Sequence, residues 1–458
     1  MALFGTAGIR GDVRTAVTPE LAVAVGRAVA RDAADEASAT TRDAEVVVGR
    51  DGRTTGGALA AAVEAGARSG GASVRRLGVV PTPALAFASQ GRHGVMLTAS
   101  HNPPGDNGIK CFVDGVEYDR AAEEAVERRV DADAPPVDWD AWGGSRDESV
   151  LDAYRAAVVN YARGFGAPLD GLAVAVDCGN GMGALATPAV LRELGASVET
   201  LEGNVDGHFP GRESKPTPES LTALRRFVAE GDAALGIGHD GDADRIVIVD
   251  GDGDVVHEDT VLAVLAERYV RASDAAEPVV VTTPNASARI DERVAAAGGR
   301  TERVRLGALH EGVARVREGE GTVVFAAEPW KHLHPAFGGW IDAVVSAAVF
   351  ARHVASEGLD GLRDPVTERP YRKVSVPCPD GAKAGAMERL TTTLPEEFPD
   401  ANVDTDHGVR PERPDGSWLL VRPSGTEPYV RLYAESEDVD DLVATAREVI
   451  ERAVEAAS

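Results

Sequence analysis

Apolar residues along this chain fall in short runs, not long stretches. EVVV (45–48), GVML (94–97), LAVAV (172–176), AALGI (233–237), PVVV (278–281) and TVVF (322–325) are each followed by a turn rich in small, polar residues. In most cases an alanine-rich segment with helical spacing comes next. Strand, turn and helix in alternation predict α/β layers with largely parallel sheets. Ligands in such sheets lie beyond the carboxyl ends of the strands, which is where the informative turns fall. Beyond residue 372 the pattern changes to a period of two. KVSVPCP (373–379), SWLLVRPS (417–424) and YVRLYAE (429–435) predict an antiparallel sheet, closed by a helix over 438–457.

Polar, Pro- and Gly-bearing breaks at 131–149 and 357–373, and an Asp-Gly hairpin at 249–256, divide this pattern. They predict three α/β domains with mixed sheets (1–147, 148–251 and 252–364) and a C-terminal α+β domain (365–458). The stretch 121–130, AAEEAVERRV, reads as a solvated helix face.

Length and composition narrow the class. A chain of 458 residues exceeds what one hydrophobic core supports. No apolar run reaches the length of a membrane span, and the N-terminus lacks the basic and apolar regions of a secretory signal. Cys111, Cys178 and Cys378 lie far apart, with no disulfide framework or metal-ligand spacing. A cytoplasmic protein is expected. The net charge of −27 excludes a basic nucleic-acid face. Such self-repulsion is tolerated where salt screens it, so a high-salt cytosol is the expected setting. Only five residues are lysine, among 47 basic ones.

Four stretches carry chemistry. In DGDADR, Asp240, Asp242 and Asp244 alternate just after a strand. Three carboxylates so close call for a cation, and hard divalent ions favour oxygen ligands. An EF-hand is excluded because Arg245 and Gly251 stand where that loop needs Gly and Glu. RPSGTEPYVR offers Arg422, Ser424, Gly425, Thr426 and Arg431, a set of forks, hydroxyls and exposed N–H groups suited to a phosphate dianion. FGTAGIRG places Arg10 in a Gly-rich loop. TASHNPPGDNGIK leaves a buried strand at Ser100, adds His101 and stiffening prolines, and ends on Lys110. A nucleophilic serine, a metal cluster, cations and a phosphate anchor together specify phosphoryl chemistry, which depends mostly on positioning and electrostatics. CGNGMG (178–183) reads as a strand-to-helix turn rather than a dinucleotide loop, and His208, His334 and His353 carry no role.

In their order and spacing these four motifs resemble the α-D-phosphohexomutase family. The resemblance implies four domains around a central cleft. It also implies a phosphorylated Ser100, Mg²⁺ held by Asp240, Asp242, Asp244 and the Ser100 phosphate, and a substrate phosphate held by Arg422, Ser424, Thr426 and Arg431. Arg10, His101, Lys110 and Arg245 would surround the transferring phosphoryl group. The implied partner is a small sugar phosphate, and the implied intermediate and activator a sugar bisphosphate, in a monomer or homodimer. Lys110 is the preferred general base, on condition that nearby cations lower its pKa.

One loop departs from the family. Where members carry Gly-Glu-x-Ser-Gly-His, this chain reads AAEPWKH (326–332). Glu328 and His332 keep their places as sugar-binding residues, whereas Ala327, Trp330 and Lys331 replace Gly, Ser and Gly. Trp330 either lines the sugar pocket or packs into the core. VRLGALHEG (304–312) also matches its family counterpart loosely. Mannose or glucose phosphate is the first expectation for substrate, with phosphoglucosamine or a phosphopentose as alternatives. A non-catalytic sugar-phosphate-binding protein and a simple phosphatase are the competing classes.

Overall fold

The computed structural model describes residues 3–5, 8–40, 44–319, 321–424 and 427–457. It forms two compact units: Met1–Val261 with Val324–Leu362, and Leu262–Val323 with Arg363–Ser458.

The first unit holds two mixed sheets. One runs in the order Ile9–Asp12, Asp106–Val113, His93–Leu97, Glu45–Arg50, Ser73–Val79, Ser145–Asp147, and the short strand Val116–Glu117 pairs with Asp106–Val113. The middle strands are parallel, while Asp106–Val113 runs antiparallel to both neighbours. Helices Pro19–Thr40 and Gly56–Ser69 cross closely because glycine lets them. An added Cβ at Gly26 would lie 2.3 Å from the Val63 carbonyl oxygen, and one at Gly66 2.0 Å from that of Val23. Val25, Val29, Leu59, Val63, Val46, Val95 and Ile109 share the core beneath. The helix Arg120–Asp131 is capped by Asp119 and docks on this core through Val126, with Ala122 and Val130 beside it, so 121–130 is largely half-buried and not the solvated face expected.

The second sheet runs Ile246–Val249, Leu235–His239, Ala173–Asp177, Ser197–Leu201. Its first two strands are antiparallel, so DGDADR is the connection of a hairpin and not a strand-to-helix turn. A similar correction applies to AAEPWKH. The strand Thr322–Glu328 turns straight back into Lys331–Leu333, with Glu328 opposite Lys331.

In the second unit, Pro278–Thr282 pairs in parallel with Arg300–Arg303. The helix Ala288–Ala296 follows the first of these strands, capped by Ser287. The C-terminal part is the expected antiparallel sheet, ordered Tyr371–Pro377, Tyr429–Glu435, Trp418–Pro423, Arg410–Glu412, Asn402–Asp404. Helices Asp380–Glu397 and Val439–Ala457 cover it, through Leu390, Leu394, Leu442 and Ile450. Among the described residues no helix is long and apolar enough to cross a membrane, and the three cysteines are buried and free.

Candidate active site

The strand His93–Leu97 ends three residues before Ser100, earlier than its apolar run suggests. The chain then bends sharply, and Ser100 adopts a φ of 51°, the left-handed region that side chains disfavour. Such a conformation persists only when the surroundings hold it. Here Arg53 does so. Its buried guanidinium donates to the carbonyls of Ser100 (2.9 Å), Asn102 (2.7 Å), Pro103 (2.6 Å) and Asp106 (2.9 Å), and to Asp51 Oδ2 (3.1 Å). Asp51 in turn accepts from the Thr98 hydroxyl, which accepts from the Ser100 amide. Burial lifts the Asp51 carboxyl to about 6, with the adjacent Arg53 charge opposing it.

From its bend Ser100 aims its hydroxyl at the aspartate loop. Oγ donates to Asp240 Oδ2 at 2.7 Å and lies 3.2 Å from His101 Nδ1. Gly241 makes the approach feasible, since a Cβ there would lie 2.5 Å from the Ser100 carbonyl oxygen. Behind that loop, CGNGMG is the expected strand-to-helix turn, and its Met182 amide donates to the Gly241 carbonyl.

Asp240, Asp242 and Asp244 are buried, and one carboxylate oxygen from each lies within 4.8 Å of the others. Asp240 Oδ1 accepts from the amides of Asp244 and Arg245. Thr82 donates its hydroxyl to Asp242 Oδ2 at 2.7 Å. Lys110 Nζ lies 3.2 Å from Asp242 Oδ2 and 3.1 Å from Asp244 Oδ2. Burial and the neighbouring carboxylates push Asp240 well above the usual range. Burial also opposes ionisation of Asp244, but Lys110, Lys331 and Arg245 more than reverse it and hold that carboxyl well below its ordinary value. Asp242 Oδ1 and Asp244 Oδ1 are buried with no hydrogen-bond partner among the described residues. Buried acceptors left free cost stability unless something binds them, and hard oxygen donors in a triad fit Mg²⁺.

The cations present the opposite surplus. Arg10 lies opposite Gly108 in the sheet, and its buried Nε and Nη2 have no partner among the described residues. Arg245 Nε is also without a hydrogen bond, 3.8 Å from Asp244 Oδ1 and 3.9 Å from Asp240 Oδ2. Unused N–H donors beside unused carboxylate oxygens suit a metal-bound phosphoryl group. His101 stays neutral: burial first, then Arg245 and Arg10, push it down to about 3.

Two sequence expectations change here. Lys110 meets two carboxylates, whose effect outweighs that of the nearby Arg10. Burial disfavours its charge, yet Asp242 and Asp244 hold it above the ordinary lysine value, so the lowered pKa set as the condition for a base is not found. His332 leaves the site. Successive residues of the strand Lys331–Leu333 face opposite ways. Lys331 reaches Asp244 Oδ2 at 3.4 Å, whereas the buried His332 ring lies against Phe325 and holds Ser346 Oγ at 3.0 Å. Glu328, opposite Lys331, is half-buried on the strand next door. Trp330 packs, like Leu201 and Val255, against the core of the second sheet, which includes Val247 and Val249, and its carbonyl accepts from the Ile246 amide at 3.0 Å.

The phosphate-loop residues belong to the second unit. Arg422 and Arg431 stand opposite each other in the sheet. Like charges so placed are unfavourable unless an anion lies between them. Arg422 Nη2 donates to the Tyr433 hydroxyl at 2.9 Å, and Arg431 pairs with Glu427 and Ser375. The loop is pinned by Lys383, which donates to the carbonyls of Ser424 and Glu427, both at 2.7 Å. Gly425 and Thr426 lie outside the described residues.

This arrangement meets its counterparts among known proteins. Profiles of the phosphoglucomutase/phosphomannomutase family match residues 1–136 (α/β/α domain I), 152–253 (α/β/α domain II) and 374–452 (C-terminal domain). A phosphopentomutase of Thermococcus kodakarensis is 39% identical, with 100% of this chain and 99% of that one covered. The chain belongs to the α-D-phosphohexomutase family. It is thereby an intramolecular phosphotransferase of the isomerase class. A second phosphohexomutase relative, a probable phosphoglucosamine mutase of Methanopyrus kandleri, is 40% identical over 95% of this chain and 94% of its own. Among solved structures, a phosphoglucomutase/phosphomannomutase family protein from Burkholderia thailandensis superposes with a TM-score of 0.85 at 25% identity, covering 100% of this chain and 97% of that one.

Sequence reading missed Arg53, Thr82 and Lys331 at this phosphohexomutase site. Arg53 lies in GRDGRTT, which looked like any strand-to-helix turn. Its one available signal was an Asp-x-Arg pair at the carboxyl end of a buried strand.

Proposed function

We propose that this protein moves a phosphoryl group between two hydroxyls of a sugar monophosphate, with Ser100 carrying the phosphate from one half-reaction to the next. The observation that carries this reading is the Ser100 hydroxyl bonded to the buried aspartate cluster at 2.7 Å, with Arg245 Nε beside that cluster and, like Arg10 Nε and Nη2, making no hydrogen bond among the described residues. In the first half, the free sugar hydroxyl bonds to phosphorus as the Ser100 Oγ–P bond breaks. The proton that the sugar hydroxyl loses is balanced by the one Ser100 Oγ takes up, and the serine hydroxyl donates to Asp240 again. The bisphosphate turns over within the site, and its other phosphate goes back to Ser100. Arg10, Arg245 and Lys110 hold the phosphoryl oxygens, and neutral His101 orients Ser100. Asp240, Asp242 and Asp244 would hold Mg²⁺, which offsets phosphoryl charge when bound. Arg422, Ser424, Gly425, Thr426 and Arg431 anchor the phosphate that is not moving.

For the sugar, Glu328 keeps the place of a hydroxyl acceptor, which supports a hexose phosphate exchanged between C1 and C6, mannose or glucose phosphate first. Lys331 fills space that a small residue would leave, and the Thermococcus relative is named a phosphopentomutase. These two facts favour the smaller pentose phosphate as second reading, with phosphoglucosamine as a third suggested by the Methanopyrus relative. The four-domain division at 147, 251 and 364, the cytoplasmic setting and the monomer or homodimer belong to the same proposal.

A coupled assay over mannose, glucose, glucosamine and ribose phosphates tests it, with Mg²⁺ present and intact mass showing about 80 Da on Ser100. Interconversion of one or more isomer pairs, lost in Ser100→Ala and shifted to high KM in Arg422→Ala, is expected. No interconversion by the phosphorylated enzyme overturns it.

A further inference from the structure

The hairpin that should contact only sugar also reaches the metal loop. Lys331 Nζ lies 3.4 Å from Asp244 Oδ2, with its side chain 12% exposed. Asp244 Oδ2 is thus shared by two ammonium groups, Lys110 and Lys331, while Asp244 Oδ1 has no hydrogen-bond partner among the described residues. The strand ladder fixes where it points. Glu328 and Lys331 are register partners, and partners in an antiparallel pair share a face. One hairpin therefore offers an acceptor and, three residues on, a donor. An ammonium has three N–H bonds. Among the described residues Lys331 has one ion-pair partner, Asp244, which leaves N–H donors for a ligand.

We propose that Lys331 is a catalytic residue of the transfer site: its ammonium holds Asp244 and donates to the phosphoryl group as that group passes between Ser100 and the sugar. The inference rests on the mutase reading. It assigns a role in phosphoryl transfer to a loop otherwise read as choosing the sugar. A compact point charge suits this task, because charge on the phosphoryl oxygens is spread and shifts during transfer. Lys331 also opposes Mg²⁺ electrostatically, since both are cations beside Asp244, and that coupling can be measured without any sugar.

The experiment compares wild type, Lys331→Met and Lys331→Arg by two readouts. Calorimetric titration of the unphosphorylated protein with Mg²⁺ should show Lys331→Met binding about fivefold tighter than wild type, because a competing cation has gone. Turnover of the best sugar phosphate should fall about 100-fold in kcat with a much smaller change in KM, the pattern of a donor that acts in the transition state. Lys331→Arg should recover most of both. An unchanged Mg²⁺ affinity, or an unchanged kcat, in Lys331→Met overturns the proposal. No turnover by wild type on any sugar phosphate strikes the mutase reading itself and this one with it. Wild-type turnover that Lys331→Met leaves intact strikes this proposal alone.

Discussion

Arg53 Nη2 donates to the Ser100 carbonyl at 2.9 Å, and the rest of the guanidinium is spent on the same loop and on Asp51. No other side chain type presents five donors in a rigid plane. Arg53→Met leaves Asp51 buried without its partner and should cost about 3–5 kcal/mol of stability, read from urea midpoints. Arg53→Lys keeps the charge but loses the fork. It should stay folded, with kcat reduced more than KM because Ser100 is no longer held at its strained φ. Full kcat in Arg53→Lys would show that the bend does not need the clamp.

The aspartate cluster predicts a metal-dependent stability. Mg²⁺ binding to the folded state should raise Tm with concentration, and a chelator should reverse the shift and stop turnover. Asp242→Asn and Asp244→Asn each remove a buried charge whose Oδ1 lacks a partner. Each should weaken Mg²⁺ by at least about tenfold. A Tm that ignores Mg²⁺ in wild type would count against the metal site.

His332 predicts a pH effect of definite sign. Burial pushes its imidazole down to about 3, against about 6.5 in an unfolded chain. Its folded value is the lower one, so the unfolded chain takes the proton first. The contribution of His332 is complete above about pH 6.5 and is lost as pH falls toward 3. Asp342, lifted to about 6 by burial, works in the other direction, losing stability as pH rises through that value. The difference between wild type and His332→Asn isolates the histidine. The variant should lose up to about 1.4 kcal/mol per pH unit of the acid slope, from chemical denaturation between pH 4 and 6. Parallel slopes would contradict the burial argument.

Net charge predicts salt dependence. Exposed pairs such as Arg447 with Glu451, or Arg76 with Asp147, are worth little and weaken further with salt. Repulsion within a chain of net charge −27 weakens as well, and it is the larger effect. Tm should therefore rise with KCl between about 0.1 and 1 M, where the Debye length shrinks from about 10 to 3 Å. A flat or falling Tm would remove the case for a high-salt cytosol.

Which parts were legible follows from how each part is encoded. Ser100, the three aspartates and the C-terminal arginines sit in contiguous motifs, so chemistry and spacing are read together. The α+β end was legible because period-two alternation extends over three strands. AAEPWKH was misread in part because two hairpin residues one apart point to opposite faces. Matching letters kept His332 in the site, while strand alternation put Lys331 there instead. Arg53 and Thr82 act on partners 47 and 160 residues away, and no local pattern announces such pairings.

The bond from the Ile246 amide to the Trp330 carbonyl has an evolutionary consequence. It joins the loop proposed to meet the sugar to the hairpin that carries the carboxylates. On the proposed function, rewriting 326–332 to alter sugar preference would also change what Asp244 meets, through Lys331. Loop grafts between relatives should then succeed only as matched pairs, with the 240–246 segment travelling alongside.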